Sequence, residues 1–288
     1  MVRASTYGYA CCYACRCREV VVLTLKVKQT GKCGAMLSDS ELLTRRSDCE
    51  TIKNWERFLR DCDEVKNQIW QIIPIQQTLY YTFRTEIGVR KFKNSYAGKA
   101  YVAIQLALID SLAMRVWRIW DKSTDANSLV RCKKALHNPK IQRLMRRQAA
   151  LEYLHEFREA INGKEYLLAR LRFGEMKAEA KSVDRQTQRW LRDMKESEKS
   201  KLLKSLSHYR NNKLAHRLDE FSRKARDSDF YQIKNDDIVQ LAFGSICLAH
   251  VLMSLAMRTD CVFDVAISIS KKNAKSFWEN QPIFSDVE

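Results

Sequence analysis

Residues 207–216, with the sequence SHYRNNKLAH, gather side chains of the kinds that act on phosphodiesters. The guanidinium of Arg210 can hold a phosphate through a planar fork of two N–H groups. The imidazole of His216 titrates near neutral pH and can therefore move protons. With an amide to orient them, these groups would suffice to cut RNA without a metal.

The same residues also fit a purely structural role. Asn211 and Asn212 are good N-cap residues, and the Lys-Leu-Ala-His-Arg-Leu sequence that follows could begin a helix. On a regular helix, residues six apart point about 120° away from each other. Arg210 and His216 can therefore converge only if a helix begins or kinks between them, or if a second subunit supplies one of them. We expect a helix break between Asn211 and Lys213, together with a second subunit.

The chain is strongly basic and poor in residues that break helices. Among 288 residues, 51 are lysine or arginine and 34 are aspartate or glutamate, which gives a formal net charge of +17. This excess fits a polyanionic partner, and we favour nucleic acid over an anionic membrane surface. Because the basic residues are spread along the chain, part of the charge can equally be a solvated surface. Only 8 glycines and 3 prolines occur, which predicts an all-α fold.

Apolar residues recur at three- and four-residue steps, the period of amphipathic helices. The pattern predicts helices over residues 48–73, 75–93, 94–121, 128–136, 139–161 and 238–257. Segment 94–121 is apolar nearly all round in its middle, which is typical of a central, buried bundle helix. Arg115 and Arg118 interrupt that apolar surface and could line a phosphate pocket, with solvent exposure or local ion pairs as the alternative. Segment 238–257 carries no charged residue, yet its polar residues favour a buried helix over a membrane span.

The two ends of the chain differ from its middle. Residues 1–35 hold five of the ten cysteines and no helical period, so we expect a poorly ordered extension, with Met36 as an alternative start. Residues 36–258 form the predicted helical domain, and residues 259–288 a semi-extended tail. The apolar run near the start is too short for an export signal, which predicts free thiols and a cytoplasmic location. No phosphate loop, His-Glu-x-x-His motif or tight carboxylate cluster occurs, so we expect neither a metal nor a cofactor.

Two stretches of the sequence resemble the HEPN superfamily. Its mark is an arginine, usually followed by a polar residue, and then a histidine after four to six residues; Arg210, Asn211 and His216 fit this pattern. The stretch SLAMRVWRIWD over residues 111–121, followed by a short helix, looks like the AbiU-type branch associated with phage abortive infection. The resemblance covers residues 45–258.

The resemblance implies a HEPN-like helical bundle with long antiparallel helices that pairs into a homodimer. It implies a metal-independent endoribonuclease, acting as a toxin or antiphage effector, whose products carry a 2′,3′-cyclic phosphate and a 5′-hydroxyl. Arg210 would stabilise charge on the phosphate, His216 would act as general acid or base, and Asn211 would orient one of them or the substrate. Substrate-binding roles would fall to Lys213, Arg115 and Arg118. RNA and a cognate antitoxin are the implied partners, with no membrane.

One position departs from the family pattern, and two other functions compete with the nuclease. Leu218 stands two residues after the histidine, where some toxin members carry a tyrosine, so control by modification of that tyrosine is not expected. The first alternative is a HEPN module without catalysis that binds nucleic acid or nucleotide or serves to dimerise. The second is an unrelated helical scaffold whose basic surface meets a membrane or a protein.

Overall fold

The computed structural model describes residues 39–85, 96–123, 125–160, 165–218, 234–258 and 263–279. These residues form eight helices and no strand, so the all-α prediction is confirmed. The helices are α1 (Asp39–Thr85), α2 (Tyr96–Ile119), α3 (Leu129–Leu136), α4 (Pro139–Ala160), α5 (Glu165–Lys199), α6 (Lys201–Leu218), α7 (Asn235–Met257) and α8 (Phe263–Glu279). The poorly ordered extension predicted for residues 1–35 lies outside the described residues.

Polar side chains cap the starts of three helices. Ser128 Oγ accepts a hydrogen bond from the third backbone N–H of α3 at 3.3 Å. Asn138 Oδ1 accepts one from the second residue of α4 at 2.9 Å, and Pro139 opens that helix. Ser200 Oγ accepts one from the third residue of α6 at 3.2 Å and thereby separates α6 from α5. Each bond satisfies an N–H group that has no partner within its own helix. The helices predicted to begin near Ser128 and Pro139 are confirmed.

Helix α1 contains a proline where the sequence predicted a boundary. Pro74 lies inside the helix, and the chain continues to Thr85 without a second start. An interior proline removes one backbone hydrogen bond and costs about 3 kcal/mol. Ile73 and Leu79, on either side of it, are fully buried. Since both halves of the helix pack into the core, their burial outweighs that cost.

Helix α2 is buried in its second half and exposed in its first. Leu112 and Val116 are fully buried, as predicted. In contrast, Val102, Ile104 and Leu106 are 51%, 46% and 53% exposed, so the prediction of a helix buried all round its middle is wrong. Val102 and Leu106 lie four residues apart and therefore on one side of the helix, where they form a solvent-facing surface that we call the α2 apolar surface.

The segment predicted as a semi-extended tail forms helix α8 instead. Its ring contacts fix it against α1 and α2: Phe263 lies edge-on to Trp70 at 6.2 Å between ring centroids, and Trp278 lies edge-on to Tyr101 at 5.3 Å. Near its end, the Tyr81 hydroxyl donates a hydrogen bond to the α8 residue Glu279 at 2.6 Å. The prediction of an extended tail is therefore wrong for residues 263–279.

The chain divides into two compact units. The described residues of the first unit are 39–60, 134–160, 165–189 and 253–258. Within it, the guanidinium of Arg258 bridges the carboxylates of Glu152 at 3.2 Å and Glu179 at 2.7 Å. Arg258 follows the last residue of α7 and has a positive φ of 50°, the left-handed conformation in which helices commonly end.

The second unit holds every candidate site residue predicted from the sequence. Its described residues are 61–85, 96–123, 125–133, 190–218, 234–252 and 263–279. Two buried tryptophans join its helices through their indole N–H groups. Trp120 donates to Ser245 Oγ and Trp190 donates to the backbone oxygen of Leu248, each at 2.8 Å. Pairing these donors lets large rings enter the core without an orphaned polar atom.

Two of the described helices are long and apolar enough to cross a membrane by length and composition, Ala97–Ile119 and Asn235–Met257. The core helix of a soluble protein passes the same test, so this is weak evidence for a membrane. In the most apolar window of α7, 56% of the residues are buried, against 28% in α2. Helix α7 buries a regular set of residues, including Ile238, Ala242, Ile246, Ala249 and Leu252. This matches the buried helix predicted for residues 238–257.

Candidate functional site

Helix α6 carries the Arg–His stretch and is continuous from Lys201 to Leu218. The predicted break between Asn211 and Lys213 is therefore wrong. Ser200 caps this helix eleven residues before the asparagine pair, so the pair is not needed as a cap. An asparagine inside a helix lowers its stability by less than about 1 kcal/mol, which does not break the helix. On an unbroken helix, Arg210 and His216 leave the axis about 120° apart. Within one chain, the two side chains thus start from different faces of α6.

Arg210 packs on an aromatic ring of helix α2. Its Cζ lies 5.3 Å from the centroid of the Trp117 ring, within range of a cation–π interaction. The preceding residue, Tyr209, donates a hydrogen bond from its hydroxyl to the carboxylate of Asp110, which is also on α2. Two consecutive residues of α6 therefore contact α2. These contacts fix the position of Arg210 along α2 and the side of α6 that faces α2.

Arg210 and Trp117 line a cavity of about 560 Å³ together with Arg115 and Arg118. The structure thus brings together three of the residues predicted from the sequence as phosphate contacts. Asp121 also lines the cavity. Three guanidinium groups and one carboxylate give the cavity a positive formal charge, which suits an anion.

Hydrogen bonds orient two of the charged groups that line the cavity. Arg115 donates a hydrogen bond from Nη1 to Oε1 of Gln71, a residue of α1. Asp121 Oδ1 accepts a hydrogen bond from the backbone N–H of Ser123 at 2.9 Å, in the turn that follows α2. Arg115 thus lies against α1, and Asp121 is held by its own turn.

Of the remaining predicted site residues, the structure describes the side chain of Asn211 alone. Asn211 is exposed on α6. Lys213 and His216 belong to α6, but their side chains lie outside the described residues. Among the residues that the structure does describe, no group of three or more His, Cys, Asp or Glu side chains could hold a metal ion.

The cavity contains two residues that sequence reasoning missed as site residues, Gln68 and Trp117. Trp117 lies within residues 111–121, the stretch that resembles the family. The sequence therefore drew attention to this stretch but did not indicate that Trp117 itself lines the site. Gln68 carried none, because a single glutamine in an amphipathic helix looks like any other polar residue. Its place in the cavity depends on the packing of α1 against α2.

The described residues form helices without any strand, and one of these helices carries an Arg-polar-x₄-His sequence, which is the combination that the resemblance to HEPN domains implied. Comparison with family models gives the narrower assignment: the AbiU2 model (HEPN_AbiU2) matches residues 56–277, so the chain belongs to this HEPN family, which is associated with abortive infection. The predicted resemblance and the HEPN-like helical fold are confirmed. The match reaches into α8, beyond the expected end at residue 258. No curated protein and no solved structure matches the chain.

Proposed function

We propose that this protein is a metal-independent endoribonuclease that acts in the cytoplasm as a toxin or antiphage effector. One observation carries the proposal: Arg210, the arginine of the HEPN pattern, lines a cavity with Arg115 and Arg118. Three guanidinium groups around one cavity suit a phosphodiester backbone. Membership of the AbiU2 family supports the antiphage role and a cognate antitoxin as partner.

In the proposed reaction, His216 removes the proton of a ribose 2′-hydroxyl. The 2′-oxygen then forms a bond to phosphorus, the bond from phosphorus to the 5′-oxygen breaks, and that oxygen takes up a proton from water. The products are a 2′,3′-cyclic phosphate and a 5′-hydroxyl. Arg210 stabilises the charge on the phosphoryl oxygens, and Asn211 orients the histidine or the substrate. Arg115 and Arg118 hold the same phosphate from the cavity that they share with Arg210, and Lys213 binds a neighbouring phosphate.

This reaction requires a homodimer. Because α6 is unbroken, we propose that Arg210 of one subunit works with His216 of a second copy. The α2 apolar surface supports this arrangement, since homodimer interfaces are richer in apolar residues than the remaining protein surface. Two copies would then form two sites, each made from both chains.

The continuity of α6 also favours a second candidate function. If the chain acts as a monomer, its Arg210 and His216 start from different faces of α6, which would leave the arginine-lined cavity without a general base. The cavity would then bind nucleic acid or nucleotide without cutting it.

Incubation of a labelled RNA with the purified chain in EDTA separates these two functions. The nuclease proposal predicts cleavage in EDTA and a 2′,3′-cyclic phosphate terminus. His216→Ala should lower the rate at least about a hundredfold, as expected for loss of a general acid–base group. A matched control is His208→Ala, which removes an exposed histidine from the same helix and should leave the rate unchanged. Equal cleavage by wild type and His216→Ala would reject the site assignment.

A further inference from the structure

Three buried polar atoms in the wall of the arginine-lined cavity have no hydrogen-bond partner: Gln68 Oε1, Trp117 Nε1 and Arg210 Nε. Native proteins pair nearly all buried polar groups, because an unpaired one forfeits its hydration without compensation. Three such atoms in one cavity indicate that a ligand completes their hydrogen bonds. Two of them are donors and one is an acceptor, so the ligand must offer groups of both kinds.

Gln68 is the acceptor, and its amide orientation is determined by its neighbour. The side chain is only 8% exposed. Its Nε2 donates to the backbone oxygen of Asn127 at 3.3 Å. A carbonyl oxygen can receive a bond only from the N–H side of the amide, so Oε1 must be the atom left without a partner. Gln68, a residue of the cavity lining, therefore holds an unpaired acceptor in a fixed place.

Two other acceptor atoms in the cavity wall are already engaged. Gln71 Oε1 accepts from Arg115, and Asp121 Oδ1 accepts from the backbone of Ser123. The cationic groups donate and cannot accept. A bare phosphate would satisfy these donors but would leave Gln68 unpaired.

The size of the cavity points to a ligand larger than a phosphate. Its volume of about 560 Å³ lies within the range of pockets that enclose small molecules such as a nucleotide. A nucleotide carries the required combination: an anionic phosphate for the arginines and, a few ångströms away, hydrogen-bond donors on its ribose and base.

We propose that Gln68 is a nucleotide-recognition residue, whose Oε1 accepts a hydrogen bond from a nucleotide held at its phosphate by Arg115, Arg118 and Arg210. The inference rests on the proposed function in that this nucleotide is part of an RNA substrate. The donor is either the ribose 2′-hydroxyl or an amino group of the base, and these two sources are separable by experiment. Sites built to bond a particular polar group reject analogues that lack it.

Binding of nucleoside 3′-monophosphates to the full chain, measured by calorimetry, tests this proposal without any cleavage. Comparison of the cytidine with the 2′-deoxycytidine 3′-monophosphate tests whether Gln68 accepts a hydrogen bond from the ribose 2′-hydroxyl. Comparison of the cytidine with the uridine compound, and of the adenosine and guanosine compounds with the inosine compound, tests whether it accepts one from an amino group of the base. We expect wild type to bind the analogue that lacks the recognised donor at least about tenfold more weakly, the effect of one lost hydrogen bond in a buried site.

Variants of two glutamines on α1 assign the preference to Gln68. Gln68→Met keeps the size of the side chain but has no acceptor oxygen, and it should bind all these nucleotides within about twofold of one another. Gln68→Glu retains an acceptor and should keep the preference, which separates recognition from packing. Gln71→Met removes a carbonyl that Arg115 already occupies, so it can weaken binding but should leave the preference intact.

Each outcome decides the matter. Equal binding of all nucleotides by wild type, no binding at all, or a preference that persists in Gln68→Met would overturn the proposal. Nuclease activity is scored separately: RNA cleavage without nucleotide preference rejects the inference and leaves the proposed function standing. A nucleotide preference that depends on Gln68, in a protein that does not cleave RNA, supports the inference and rejects the proposed nuclease function.

Discussion

At the scale of single residues, the pairing of Arg210 with Trp117 determines what the arginine can do. An aromatic face attracts a guanidinium without occupying all of its N–H groups. A carboxylate partner would instead compete with a phosphate for the same N–H groups of the guanidinium. Because Arg210 lies over Trp117 with its Nε unpaired, it is positioned yet still available to an anion. The packing thus fits an arginine that binds a ligand better than one that serves only the fold.

Removal of the Trp117 ring should weaken the site through Arg210. We expect Trp117→Leu to lower the RNA cleavage rate about ten- to thirtyfold, the range of a partly buried cation–π contact, and Trp117→Phe to lower it less. Single-turnover cleavage rates measure both. Trp70→Leu is the matched control, because Trp70 is 40% exposed and is not among the residues that line the cavity. A Trp117→Leu variant that cleaves at the wild-type rate would show that the ring has no such role.

Arg115, Arg118 and Arg210 could be named as candidates from the sequence, because charges that interrupt an apolar helix, or that stand beside polar residues, are visible in the order of residues. It could not select Gln68. That residue joins the cavity only because α1 packs beside α2, and its unpaired Oε1 follows from a bond to Asn127 in a distant loop. Such relations depend on three-dimensional contacts that periodicity does not encode.

At the scale of elements, two of the failed predictions have local physical reasons. Val265, Ile267 and Ile269 alternate like a strand, yet Val265 and Ile269 lie exposed on α8 while Phe263 and Trp278 anchor that helix. The asparagine pair in α6 looked like a cap, but Ser200 already caps that helix. The alternating pattern of α8 was thus overridden by the packing of its aromatic residues, and the apparent cap in α6 by the serine that already caps the helix.

The contact of α1 with the end of α8 should make stability depend on pH in alkaline solution. Hydrogen bonding to Glu279, followed by burial, raises the pKa of Tyr81 from 10.0 to about 12. Between those values the unfolded chain loses the phenol proton while the folded chain keeps it. The free energy of unfolding contributed by Tyr81 is therefore fully present below pH 10.0 and is lost as the pH rises to about 12.

Urea unfolding of wild type and Tyr81→Phe across pH 8 to 12 checks this expectation. The phenylalanine variant lacks the titrating group, so the stability difference between the two proteins should shrink above about pH 10. Because both proteins share all other titrating groups, the difference isolates Tyr81. A difference that stays constant up to pH 12 would show that the hydrogen bond to Glu279 does not persist in solution.

At the scale of the whole molecule, the α2 apolar surface is exposed to solvent in the monomer, and a dimer interface would account for its apolar character. We expect Leu106→Glu to shift the protein from dimer to monomer in sedimentation and to abolish RNA cleavage with little effect on the melting temperature, because Leu106 is 53% exposed. Gln186→Glu adds the same charge at an exposed position of α5 and should change neither property. A Leu106→Glu protein that remains dimeric would place the interface elsewhere.

Mixing two inactive variants tests most directly the claim that two chains build one metal-independent nuclease site. Arg210→Ala and His216→Ala would each be inactive alone. After they are unfolded and refolded together, half of the dimers contain one chain of each kind, and every such dimer has one intact site. The mixture in EDTA should therefore recover about a quarter of the wild-type rate, as two-fold symmetry requires. A mixture that stays inactive while wild type cleaves RNA would contradict the account.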